Sequence, residues 1–144
     1  MADTVEIDVV TLEHHRENIG IGEPRPRISW KLKNAPAFWI QSAYEIEILS
    51  SVSPDPQVFH VESSDSILVP WPAKALISRH SLAVRVKVYG TEPCDWSHPV
   101  IVEAGLLSRS DWTSQLIAAK RILAPNGTLT PILFRKEFAI LNNQ

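Results

Sequence analysis

The residues of this 144-residue chain whose types could do chemistry are two adjacent histidines, a pair of glutamates, one cysteine and five tryptophans. His14 and His15 invite a metal reading. Neighbours in a strand point to opposite faces, and in a helix they stand about 100° apart, so the pair does not share one ion. No third ligand sits at useful spacing, and the histidines read as solvated loop residues. Glu45 and Glu47 lie two apart on one strand face, whereas two carboxylates that act as an acid/base pair work across a cleft from opposite walls. They read as a solvated face. Cys94, beside Asp95 and near His98, has no adjacent positive charge to lower its pKa and reads as a turn cysteine. There is no Gly-x-Ser-x-Gly elbow, His-Glu-x-x-His, phosphate-cradling glycine loop or Cys-x-x-Cys. No catalytic residue and no metal site is assigned, and no cofactor is called for.

The tryptophans carry the remaining signal. Trp30 reads as core, and Trp96 and Trp112 read as pins for the last strand and the linker after it. Trp39, in the turn Pro36-Ala37-Phe38-Trp39, and Trp71, between Pro70 and Pro72, occupy places where an indole stays partly exposed. Their first reading is as caps on the ends of the fold. Their functional reading is as the ligand-binding residues, stacking on a sugar ring or a small apolar molecule, in a pocket of ~300 Å³ or more.

Short strands must position these residues. Pro24 and Pro26 straighten the backbone into Ile28, Trp30 and Leu32, which share one face of a strand. Val5, Ile7 and Val9 alternate with Glu6 and Asp8 in an earlier strand, and Leu12 to Ile21 reads as a loop. Tyr44, Ile46 and Ile48 alternate with Glu45 and Glu47. Ser50 to Gln57 reads as a loop, with short strands at Val58–Val61 and Ile67–Val69. Leu82, Val84, Val86 and Val88 alternate with Arg85 and Lys87 as a central strand, and His98 to Ala104 returns beside it. Seven or so strands with frequent turn signals predict an all-β fold, an antiparallel β-sandwich of fibronectin type III or immunoglobulin kind.

Composition excludes several partners. Net charge is −2, with Lys and Arg scattered, so no basic stripe exists to neutralise phosphates and nucleic acid is not expected. The one cysteine rules out an intrachain disulfide. The N-terminus lacks a basic, then apolar, leader, and no run approaches the ~20 apolar residues of a membrane span. A cytoplasmic chain, or a piece of something longer, is expected. Asn126-Gly127-Thr128 matches a glycosylation sequon but also spells an Asn-Gly turn, the reading taken here.

Ordered landmarks carry a family resemblance. Asn18-Ile19-Gly20-Ile21-Gly22, Pro24-Arg25-Pro26-Arg27-Ile28-Ser29-Trp30-Lys31-Leu32 and Gln41-Ser42-Ala43-Tyr44-Glu45-Ile46 come first. Val69-Pro70-Trp71, Leu76-Ile77-Ser78-Arg79, Val84-Arg85-Val86 and Gly105-Leu106-Leu107-Ser108-Arg109-Ser110-Asp111-Trp112 follow. In this order they resemble the N-terminal fibronectin type III-like domain of bacterial and fungal α-L-rhamnosidases. Leu82-Ala83 and Tyr89 depart from it, thinning an aromatic cluster.

The resemblance implies a domain over 1–108, then a linker and an extra strand over 109–144, where Leu133–Phe138 resembles the opening of the next module. It also implies that the helical barrel holding the family's catalytic carboxylates lies outside this chain. The expected function is a non-catalytic accessory or interaction domain, with activity as an enzyme left open. The alternative is a stand-alone small-molecule-binding protein, or a cofactor-independent isomerase or cyclase derived from that domain. In the tail, Ile132, Phe134, Phe138 and Ile140 share an apolar strand face, which predicts pairing with the chain's own sheet or with a second copy, an exchanged-strand homodimer.

Overall fold

The computed structural model describes residues 5–50, 53–91, 94–120, 126–128 and 131–138. Among them are seven strands: β1 (Glu6–Leu12), β2 (Ile19–Ile21), β3 (Ile28–Lys33), β4 (Ala43–Ser50), β5 (Ser53–Val61), β6 (Ser81–Tyr89) and β7 (Val100–Ala104). A 3-10 turn follows at Arg109–Asp111. β1 and β3 pair antiparallel as one sheet, and the second runs β2-β7-β6-β4-β5. The architecture is the predicted immunoglobulin-like β-sandwich.

The alternating residues of β4 and β6 explain why these strands are central. Tyr44, Ile46 and Ile48 face Trp30, Ile28 and Leu12 across the core, and Val84, Val86 and Val88 are wholly buried beside them. Each side chain of this size contributes about 1.5–3 kcal/mol by leaving water. Trp30 meets Tyr44 edge-on, with ring centroids 4.9 Å apart. Its indole N–H donates to Gln41 Oε1 at 3.0 Å, and the Gln41 amide donates in turn to the carbonyls of Ser63 and Asp65. One buried amide therefore ties the core tryptophan to the chain between β5 and β6.

Several strands differ from the sequence reading. In β1 the register shifts between Ile7 and Val9, so Val9 turns out to solvent and Val10 and Leu12 turn in. A bulge interrupts a period of two without any change in residue type. The expected loop after Leu12 contains β2, which runs parallel to β7 with Ile19 opposite Glu103 and Ile21 opposite Ala104. β5 begins at Ser53 although prolines stand at 54 and 56; it lies at a sheet edge, where a missing N–H is tolerated. The strand expected at Ile67–Val69 is only a bridge, with Ile28 and Val69 exchanging two hydrogen bonds of 2.9 Å.

The chain divides into two compact units, Met1–Trp112 and Thr113–Gln144. In the second, residues 131–138 form no strand, so the predicted extension strand is corrected over that stretch; Ile140 lies outside the described residues. Leu133 is 95% exposed and Phe138 79%. Alternation alone does not make a strand, because a strand also needs partners for its backbone groups. The Asn-Gly turn is formed: Asn126 Oδ1 accepts from the Thr128 N–H at 3.2 Å and from its hydroxyl at 2.7 Å.

Candidate functional site

Trp71 and Trp39 belong to opposite ends of β6 and have different fates. Trp39 is half-buried, and its indole lies against Gly90, just past Tyr89. A Cβ at position 90 would fall 2.4 Å from ring atoms of Trp39, so only glycine lets the indole lie there. This packing suits the end-cap reading of Trp39. The exposed aromatic of that turn is its neighbour Phe38.

Trp71 is buried, with 5% of its surface exposed, yet it lines a cleft of about 350 Å³ at the other end of the sandwich. Three contacts fix its segment. The Ile28–Val69 bridge holds it upstream, the Leu76 N–H donates to Pro24 O at 2.7 Å downstream, and the indole N–H donates to Lys74 O at 2.8 Å within it. The proline-straightened stretch before β3 thus anchors the Trp71 loop. Ile48, Trp71, Leu76 and Leu82 make the buried wall of the cleft, and Asp55, Gln57 and Lys74 stand on its exposed rim.

A Ser–His pair completes this cleft, with Ser50 Oγ 3.1 Å from His80 Nε2 and both residues half-buried. β4 positions the serine and the turn before β6 the histidine. Arg79 is held at φ 63°, a left-handed conformation costing a non-glycine residue about 1–2 kcal/mol, with its N–H shared between the carbonyls of Ala104 and Gly105. The His80 carbonyl accepts from the Ala104 N–H at 2.9 Å, and its own N–H donates to Ile77 O at 3.1 Å. β7 therefore clamps the turn that carries the imidazole.

The other candidates are engaged elsewhere. Glu47 receives a two-pronged bond from Arg85, at 2.5 and 2.9 Å, and Glu45 faces His60 at 3.3 Å; both are outward, as predicted. The Arg85 guanidinium also lies 4.9 Å from the Trp96 ring centroid, so Trp96 covers charged side chains on the outer sheet face. Trp112, expected as a pin, is 63% exposed. Cys94 is buried, its Sγ accepting from the Val88 N–H at 3.4 Å, and burial pushes its thiol pKa up. It holds the turn after β6, the setting of a buried structural cysteine. Among the described residues no three His, Cys, Asp or Glu side chains stand together as metal ligands.

Residues 7–108 match the family described as Rha78A-like, N-terminal immunoglobulin domain. The chain belongs to this family. An α-L-rhamnosidase of Streptomyces avermitilis is 31% identical over 116 residues, covering 76% of this chain and 11% of the relative. The crystal structure of native α-L-rhamnosidase from Aspergillus terreus superposes with a TM-score of 0.79 at 42% identity, covering 87% of this chain and 15% of that one. The α-L-rhamnosidase of Dictyoglumus thermophilum shares the fold, with a TM-score of 0.72 at 21% identity over 85% of this chain and 16% of that one. This Rha78A-like domain therefore spans about one-sixth or less of the length of these relatives.

Within the Rha78A-like domain, the sequence names Trp71, which lines this cleft, and does not single out Ser50 or His80, which line it too. Thirty residues separate the two and neither belongs to a motif. The only signal is register: Ser50 pairs with Leu82, and His80 lies two residues before Leu82.

Proposed function

We propose that this Rha78A-like domain is a non-catalytic accessory module whose work is interaction, as its resemblance to the N-terminal immunoglobulin-like part of α-L-rhamnosidases implies. The observation that carries this reading is the state of the carboxylates. Glycoside hydrolysis by the common routes needs two carboxyl groups facing each other across a sugar-binding cleft. Here Glu45 and Glu47 lie side by side on a sheet face, Glu47 in a two-pronged ion pair with Arg85, while Glu13 is closed by Arg27 at 2.6 Å. Asp111 is held by the Ser78 hydroxyl and the Ser108 N–H, which keep its pKa low.

Incubating the full chain with 4-nitrophenyl α-L-rhamnopyranoside tests the proposal. No release of nitrophenol above the buffer rate is expected. Turnover that survives repurification and is lost in Glu47→Gln or Asp55→Asn would overturn it. The isomerase or cyclase alternative gains nothing from the relatives named above, all of which are glycosidases by name.

A further inference from the structure

We infer that the cleft between Trp71 and the Ser50–His80 pair is a binding site for a neutral, hydroxylated ring of monosaccharide size. Its chemistry is divided in the way such a ring requires. One wall is hydrocarbon, from Ile48, Trp71, Leu76 and Leu82, and takes up the C–H face of a ring. The other carries the Ser50 hydroxyl, the His80 imidazole and the Gln57 amide, which together both donate and accept, as sugar hydroxyls do. The rim holds one charge of each sign, Asp55 and Lys74, which gives no net preference for an ion. A volume of about 350 Å³ sits at the small end of ligand sites.

Preorganisation points the same way. The Trp71 N–H is committed to Lys74 O, which leaves the indole's apolar surface to the cleft and fixes its angle. His80 ends a turn whose preceding residue, Arg79, is kept in a costly backbone conformation by two β7-side carbonyls. The strands themselves pair from Ala43 opposite Tyr89 to Ser50 opposite Leu82, so both polar side chains are carried on a fixed frame. The accessory role proposed above does not depend on this site; a scaffold without a ligand would serve it equally.

The test is a titration of the full 15N-labelled chain with glucose, mannose and rhamnose, each to tens of millimolar. Glucuronate, glucosamine and cyclohexanol serve as charged and hydroxyl-poor controls. Expected are saturable shifts of the Trp71 indole N–H and the Leu82 amide with at least one neutral sugar, and weaker ones with the controls. His80→Ala should weaken that sugar by ~5- to 10-fold, the loss of one neutral hydrogen bond. Should His80→Ala fail to fold, Ala75→Trp decides, because it fills the cleft from an exposed rim position and should abolish the shifts while keeping the melting temperature. No saturable shift with any neutral sugar, shifts confined to other residues, tightest binding of a control, or binding unchanged in Ala75→Trp would each overturn the inference.

Discussion

β6 and the stretch 131–138 are both alternating apolar segments, and only one of them is a strand. In β6, Leu82, Val84, Val86 and Val88 are buried, and the backbone is bonded to β4 on one side and β7 on the other. In 131–138, Leu133, Phe134 and Phe138 stay largely exposed and no sheet forms. A period of two states which face would be buried, and whether it is buried depends on a neighbour that supplies both apolar surface and backbone partners.

The largest effects are expected on the core side. Trp30→Ala removes the side chain that joins the two sheets and leaves Gln41 Oε1 without its donor, so a loss of about 3–5 kcal/mol is expected in urea unfolding. A loss under about 1 kcal/mol would show that the inter-sheet contact does not organise the fold. Next comes Gly90→Ala, whose methyl group would overlap the Trp39 indole; about 1–3 kcal/mol is expected. The double variant with Trp39→Ala should recover part of it, and strict additivity of the two changes would remove Trp39 from the role of end cap.

A smaller effect tests the surface. Arg27 donates to Glu13 from its side chain and its backbone N–H, and holds the Glu13 pKa at about 2. Because the folded pKa lies below the ordinary carboxylate value, the stabilisation is full above pH 4.5 and is lost as pH falls toward 2. The pair is solvent-screened, so Glu13→Gln should cost about 0.5–1 kcal/mol at pH 7. The gap from wild type should close on acidification, and a gap that widened below pH 4 would reverse the assignment. Smallest of all, Phe134→Ser should change stability by less than about 0.5 kcal/mol, since that ring is 59% exposed.

The fold was legible wherever a residue's face and its neighbour agreed. Ile28–Trp30, Tyr44–Ile48 and Leu82–Val88 are strands whose inward residues were readable from alternation. The β1 bulge was not, because Val9 and Val10 are chemically alike and only pairing with β3 decides which one turns in. β2 escaped notice because its three residues, with Gly20 in the middle and Gly22 just after, are too short to show a period. Proline misled at β5, where a sheet-edge position makes the missing donors harmless. At the candidate site, Trp71 was recognisable by type and setting, whereas Ser50 and His80 meet only because β4 and β6 are paired. Their relation belongs to register and has no local signature.

The contrast between sandwich and tail is tested most directly by amide hydrogen exchange on the full chain at two protein concentrations. Slow exchange is expected in β3, β4 and β6, and near-unprotected amides over 132–138, at both concentrations. Protection across 132–138 comparable to that of β4 would contradict that contrast. If that protection grew with concentration, it would identify the tail as a strand exchanged between two copies.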